Sequence, residues 1–410
     1  MIYYLFATGL NKSFGILISP LLLFFFGAEQ VGEFLFFVLV ITLCSPLMSL
    51  NLGAVIIQTP QSFNLLSPIF STHVLILITN VLFSIASFSI DLTFAIYYLG
   101  CVSESVFLIA LANLRAQGRK ERYAYISFAK FTLFLTFVYV SNNLTLSYII
   151  SNLVVSICLI SRIVSVIFNP KLYSFLQISS LKFGAGLLPH QVGQWVSNSG
   201  GRFILGTLAG TASLAYFTQA ISASILVIAL NSALIIYIPR LLVDNYEAFL
   251  SNPIIIKLYT FIKIYTVFIF FIVVVFYYMD SDYYQSKSER GLNFEMVKVA
   301  FLCSLAYLNY TYYLTFVNYL FYFKDSIGIS TITIKYCCIS AASALIMVSF
   351  FYETGLALSL WWSSILYVFL TANKAIKYEE RLLAQLKTYI SNVYLQSVMV
   401  ITVLTMGIIK

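Results

Sequence analysis

Charge is what this sequence has least of. Only 9% of its 410 residues are Asp, Glu, Lys or Arg, against 61% hydrophobic residues. A soluble domain of this length needs far more polar surface, so a soluble fold is excluded. Histidine is scarcer still, with 2 residues, His73 and His190. The 6 cysteines (Cys44, Cys101, Cys158, Cys303, Cys337 and Cys338) all lie in apolar segments, without metal-ligand spacing to either histidine. They read as small hydrophobes, and no metal or other cofactor is expected beyond a coupling H+ or Na+. Long polar stretches are missing too. The longest outside connection, DSDYYQSKSERGLN (280–293), cannot hold a domain, so an enzyme is not expected. No G-x-x-x-x-G-K-[ST] run offers a cradle for nucleotide phosphates, and no cleavable signal peptide is expected.

What is present are apolar runs about twenty residues long, the length of spanning helices; barrel strands would be shorter and alternating. They fall over 2–26, 32–57, 67–90, 93–114, 123–141, 145–168, 182–208, 211–239, 254–279, 294–322, 328–351 and 354–374. The expected fold class is therefore an all-α polytopic membrane protein. A further run, 389–409, reads as a thirteenth helix or an interfacial one. With a cytoplasmic N-terminus, the cytoplasmic loops hold Arg115, Arg119, Lys120, Arg122, Lys171, Arg240, Lys324, Lys374, Lys377, Arg381 and Lys387. The other side keeps little more than Lys287 and Arg290, so the positive-inside rule sets that orientation. The basic run RAQGRKER (115–122) is a topology anchor, and no nucleic-acid partner is expected. GAEQVGEFLFF (27–37) aligns weakly with GTASLAYFTQA (210–220) at an offset of about six helices. That is the pattern of two parallel six-helix lobes, 1–174 and 175–375, followed by a basic linker and apolar segment, 376–410.

Several charges sit where apolar residues belong. Lys12, Lys130, Arg162, Arg202, Lys263, Lys298 and Lys335 fall inside expected spans, with Glu104 the one clear acid among them. A base at the bilayer centre costs about 2.5–3.5 kcal/mol. Snorkelling accounts readily for Lys298 and Arg162, which lie near an interface. It accounts less well for Lys12 in mid-helix, or for Lys130, Lys263 and Lys335, about 10 Å deep at 1.5 Å per residue. One acid cannot neutralise the whole set. A water-filled, cation-lined cavity between the lobes would house the surplus, with a phosphate- or pyrophosphate-bearing guest as counter-charge. Pro20 and Pro189, in the first and seventh helices, are candidate hinges. Gly206 and Gly210 form a G-x-x-x-G pair suited to close helix packing. In YLNYTYYLTFVNYLFYF (307–323) the aromatic residues read mainly as an interfacial belt, with a sugar-stacking surface as the alternative.

The segment LKFGAGLLPHQVGQWVSNSGGRFILGTLAG (181–210), with ASLAYFTQA after it, resembles Wzx-type O-antigen flippases, the polysaccharide transporters of the multidrug/oligosaccharidyl-lipid/polysaccharide exporter superfamily. Phe183-Gly184, Leu188-Pro189, Asn198, Arg202-Phe203-Ile204-Leu205-Gly206 and Tyr216 match that family's phrase. The family's usual acid before the arginine is replaced by Gly201. The resemblance covers about 1–375 and implies twelve core helices in two lobes around a central cationic cavity. It implies passage of an undecaprenyl-diphosphate-linked oligosaccharide, an O-antigen repeat unit, to the periplasmic leaflet of the bacterial inner membrane. Lys12, Lys130, Arg202, Lys263, Lys335 and Arg162 are then candidate substrate contacts, and Glu104 a candidate for proton or sodium coupling. Membrane lipids, an O-antigen polymerase and a chain-length regulator are expected neighbours. The competing readings are an O-antigen polymerase or glycosyltransferase, which generally needs a larger outside loop, and a cation-coupled drug antiporter, which suits an acidic cavity.

Overall fold

The computed structural model describes residues 19–51, 91–157, 188–225, 227–231, 253–279, 294–323 and 325–409, with isolated helical positions between them. Lys12 and Arg162 lie outside the described residues. All regular structure among the described residues is helical: α1 (Ala28–Met48), α2 (Leu92–Ala116), α3 (Lys120–Ser141), α4 (Leu144–Val155), α5 (Leu188–Trp195), a π-helical turn (Val196–Gly200), α6 (Gly201–Leu208), α7 (Thr211–Ser222), α8 (Pro253–Met279), α9 (Phe294–Tyr322), α10 (Ser326–Ile376) and α11 (Leu382–Ile409). Among these, 6 are long and apolar enough to cross a membrane. The protein is an all-α, polytopic membrane protein.

The chain divides into two compact units. One comprises Met1–Phe14 and Glu33–Trp195; the other comprises Gly15–Gly32 and Val196–Lys410. This is not the partition 1–174, 175–375 and 376–410 read from hydropathy: the break falls where α5 meets the π turn, and α11 belongs to the second unit.

In the first unit α2, α3 and α4 pack side by side with α1. Asp91 caps α2 by accepting from the backbone N–H of Thr93 and Phe94, and Asn143 caps α4 by accepting from Leu146. Small side chains let α1 and α2 approach: the Ser105 hydroxyl donates to the Ser45 carbonyl at 3.0 Å, and that of Ser45 to Cys101 at 3.2 Å.

In the second unit α9 is the core. It is buried on every face, with Tyr312, Phe316 and Tyr319 fully enclosed, as expected of a helix that carries no polar stripe. The stretch 311–320 of the aromatic run is therefore neither an interfacial belt nor a sugar surface, and only Phe321 and Tyr322 at its end are exposed. Some of its polar groups bond inside the bundle, where Tyr367 donates to Tyr313 at 2.7 Å and Asn309 to Ser364 at 3.1 Å.

α10 is a helical hairpin. Tyr336 stacks on Tyr367 at 4.0 Å between ring centroids. Along a straight helix these residues would be about 45 Å apart. The chain reverses at Tyr352, whose φ of 48° and ψ of −123° break the helix. Gly355 completes the turn, since a Cβ there would collide with the Met347 carbonyl. The arms on either side match the expected helices 328–351 and 354–374.

α11 answers the question left open by 389–409. It is a full helix, long enough to span. Tyr389, Asn392 and Gln396 are wholly buried along one face. Gln396 donates to Asn309 at 3.1 Å and accepts from Trp361 at 3.1 Å, while Tyr389 packs its ring on Tyr312 at 4.8 Å. This segment is integral to the second unit rather than interfacial.

Candidate functional site

Glu104, midway along α2, meets three donors. Lys130 on α3 reaches its Oε2 at 3.2 Å, and Tyr148 and Asn152, one turn apart on α4, each donate to the same atom at 2.9 Å. Lys130 also donates to the Tyr148 hydroxyl at 3.2 Å, and its ammonium lies 4.0 Å from the centroid of the Phe107 ring. The side chains of Lys130 and Glu104 are 6% and 7% exposed. Phe34, Phe37 and Phe134 surround Tyr148, with centroids 5.8, 6.4 and 6.3 Å away. One ammonium and one carboxylate thus balance within an aromatic box. In a low dielectric such a pair holds only when its hydrogen bonds are filled, as they are on Oε2. The Asn152 Oδ1 is buried without a hydrogen-bond partner among the described residues.

Lys130 and Glu104 were both legible as charges in apolar runs, but in separate roles, as a cargo contact and a coupling group. The structure makes them one pair. Lys130 is therefore not a cavity cation awaiting an anion: Glu104 already supplies its counter-charge. Tyr148 and Asn152 were missed. Their signal was the i, i+4 pair of polar residues in the short apolar stretch SYIISN (147–152), flanked by Ser147 and Ser151.

Arg202 opens α6, directly after the π turn. Its Nη2 donates to Ser199 at 3.1 Å, and Tyr307 and Cys303 on α9 are close enough to act on it electrostatically. π-Helical turns are often found at functional positions. Gly201, which stands where the related phrase has an acid, lies against Leu356, whose Cδ1 would be 2.6 Å from an added Cβ. A side chain there would have to displace that methyl on the second arm of α10.

Lys263 is half-buried on α8, and Lys335 is exposed on the first arm of α10. Gly206 is buried in α6. Gly210 corrects the G-x-x-x-G reading. It lies outside the helix with φ 92°, and a Cβ there would meet nothing within 4 Å. Its role is a left-handed turn into α7, not helix contact. Gly27 does the same before α1, with φ 80°. These are the residues that head the two aligned phrases, and both have positive φ. Pro20 is half-buried within a helical stretch, and Pro189 lies in α5. Two described bases near helix ends are tied locally: Lys298 pairs with Glu295, and Arg381 with Glu379 at 2.8 Å. Among the described residues no group of 3 or more His, Cys, Asp or Glu could hold a metal ion.

The fold is similar to that of a solved structure described as the inward-facing conformation of a multidrug resistance MATE family transporter of the MOP superfamily. The TM-score is 0.59 and the identity 13%, over 91% of this chain and 96% of that one. At this identity the likeness is one of fold. No family model matches the chain, and no curated protein does.

Proposed function

We propose that this protein, which shares its fold with a transporter of the MOP superfamily, is a membrane carrier for an anionic lipid-linked oligosaccharide. The cargo would be an undecaprenyl-diphosphate-linked repeat unit, moved by alternating access from the cytoplasmic to the periplasmic leaflet of the bacterial inner membrane.

The observation that carries this reading is the placement of charge in the second unit. Arg202, Lys263 and Lys335 lie within helices. The described acids of that unit lie at ends and turns: Glu29 in the first turn of α1, Glu295 in the first turn of α9, Asp325 before α10, Glu353 beside the hairpin turn, and Glu379 and Glu380 between α10 and α11. Base at depth and acid at the rim favour an anion over a cationic drug. A diphosphate suits this best, because a guanidinium such as Arg202 can bind it with two parallel hydrogen bonds. Lys12 and Arg162 remain proposed cargo contacts on sequence grounds.

In the first unit Glu104 is the proposed coupling group. Taking up a proton there would remove the counter-charge of Lys130, and a pair with two states is a means of biasing a conformational equilibrium. Pro20 and Pro189 are proposed hinges, and a polymerase and a chain-length regulator proposed neighbours. The drug-antiporter reading is kept alive by that same carboxylate and by the multidrug character of the fold's relative.

The deciding experiment reconstitutes the full chain in proteoliposomes with a fluorescent undecaprenyl-diphosphate-linked oligosaccharide, and reads leaflet transfer as protection from a membrane-impermeant quencher. Saturable transfer, depressed in R202Q and K263Q, is the expected result. Proton-driven ethidium uptake without lipid transfer would establish the antiporter instead.

A further inference from the structure

The open end of the α10 hairpin frames an open cavity of about 350 Å³. Lys335 reaches it from the first arm, and Lys374 and Lys377 from the end of the second. Asn373, Thr331 and Asp325 complete its polar lining, and Leu370 is part of an apolar wall. Three ammonium groups therefore face one carboxylate.

That carboxylate is already engaged. Asp325 accepts from the Gly328 backbone N–H at 2.9 Å, capping α10, from the Tyr378 hydroxyl at 3.0 Å, and from Lys374 at 3.3 Å. The Gly328 N–H foremost, with Tyr378 and Lys374 adding to it against a smaller opposing effect of desolvation, holds this carboxyl below its ordinary value, so it is ionised at neutral pH. The ammonium groups of Lys335 and Lys377 have no hydrogen-bond or ion-pair partner among the described residues. The surroundings are lipid-like: Ile327 and Ile334, flanking the cavity on the first arm, are 79% and 63% exposed. Lys335 lies about 13 Å along the helix from its start, beyond the last turn where an ion from bulk water would be met first.

We propose that this cavity binds a phosphate group, presented by the headgroup of an anionic membrane lipid whose chains run along the exposed isoleucines. Basic pockets between helices at the membrane surface recognise headgroups through this chemistry. The volume, near the lower limit for a ligand cavity, fits a phosphate ester. The site needs no assumption about what the protein carries.

The test uses the full chain in detergent and three probes: dioctanoyl phosphatidate, dioctanoylglycerol and inorganic phosphate. Binding is read by native mass spectrometry, with thermal unfolding to confirm that each variant is folded. Phosphatidate is expected to bind, and dioctanoylglycerol not. The K335Q/K377Q double variant is expected to weaken phosphatidate binding roughly tenfold, about 1.4 kcal/mol. D325N is expected to strengthen it, because asparagine keeps the helix cap while releasing Lys374 from its anion. A merely structural cluster would show no such opposite pair of effects. Unchanged binding in both variants, or equal binding of dioctanoylglycerol, overturns the proposal. Inorganic phosphate binding as tightly as phosphatidate would keep the phosphate site and overturn the lipid as its source.

Discussion

Lys130 and Glu104 sit in a setting where losing either partner is costlier than losing both. K130M would leave an ionised or forcibly protonated carboxylate among phenylalanines, and is expected to destabilise the folded chain by about 3–5 kcal/mol. The double variant K130M/E104Q should recover most of that loss, since a glutamine can keep the contacts to Tyr148 and Asn152. Thermal unfolding in detergent checks this, and equal losses in the single and double variants would show that the pair is not coupled. Both charges could be seen in the sequence, because a charge in an apolar run stands out. Their pairing could not. It depends on how α2, α3 and α4 are rotated against one another, and nothing in the spacing of residues 104, 130, 148 and 152 fixes those rotations.

Among the elements, the α10 hairpin makes the clearest demand on individual residues. Tyr352 holds a left-handed φ that a side chain adopts at a cost of about 1–3 kcal/mol. Y352G should relieve part of it and raise the unfolding temperature, whereas G355A, which places a methyl against the Met347 carbonyl, should lower it. If both substitutions lower it alike, the turn is not strained at Tyr352. The two arms were legible as separate apolar runs. The abruptness of the turn was not, because no proline or glycine stands at residue 352 itself. α11 was only half legible for a different reason. Its apolar residues announced a helix, but its buried polar face, Tyr389, Asn392 and Gln396, has the composition of an interfacial segment. Only the partners Tyr312, Asn309 and Trp361 reveal that the face points inward.

For the whole molecule, the basic loops give an expected orientation that labelling can check. A cytoplasmic N-terminus puts Gln117 and Tyr378 in cytoplasmic connections and the Tyr352 turn outside. Single cysteines at these positions, in a chain whose native cysteines are replaced, should be labelled by a membrane-impermeant maleimide in intact cells at 352 and not at 117 or 378. The opposite pattern would invert the topology and place the lysine-lined cavity of α10 at the outer surface.

Scarcity of charge determined the solvent, and with it the helical class, because a backbone in hydrocarbon must satisfy its own hydrogen bonds. The length of the apolar runs determined the helices, and the placement of lysine and arginine gave the expected topology. Tertiary structure decided which charges are neutralised and which face a cavity. It joined Lys130 to Glu104, turned the aromatic run of α9 into a core, and gathered Lys335, Lys374 and Lys377 at one hairpin end. Those outcomes rest on contacts between residues far apart in the chain, and hydropathy reports only how each residue meets its solvent, never which neighbour it meets.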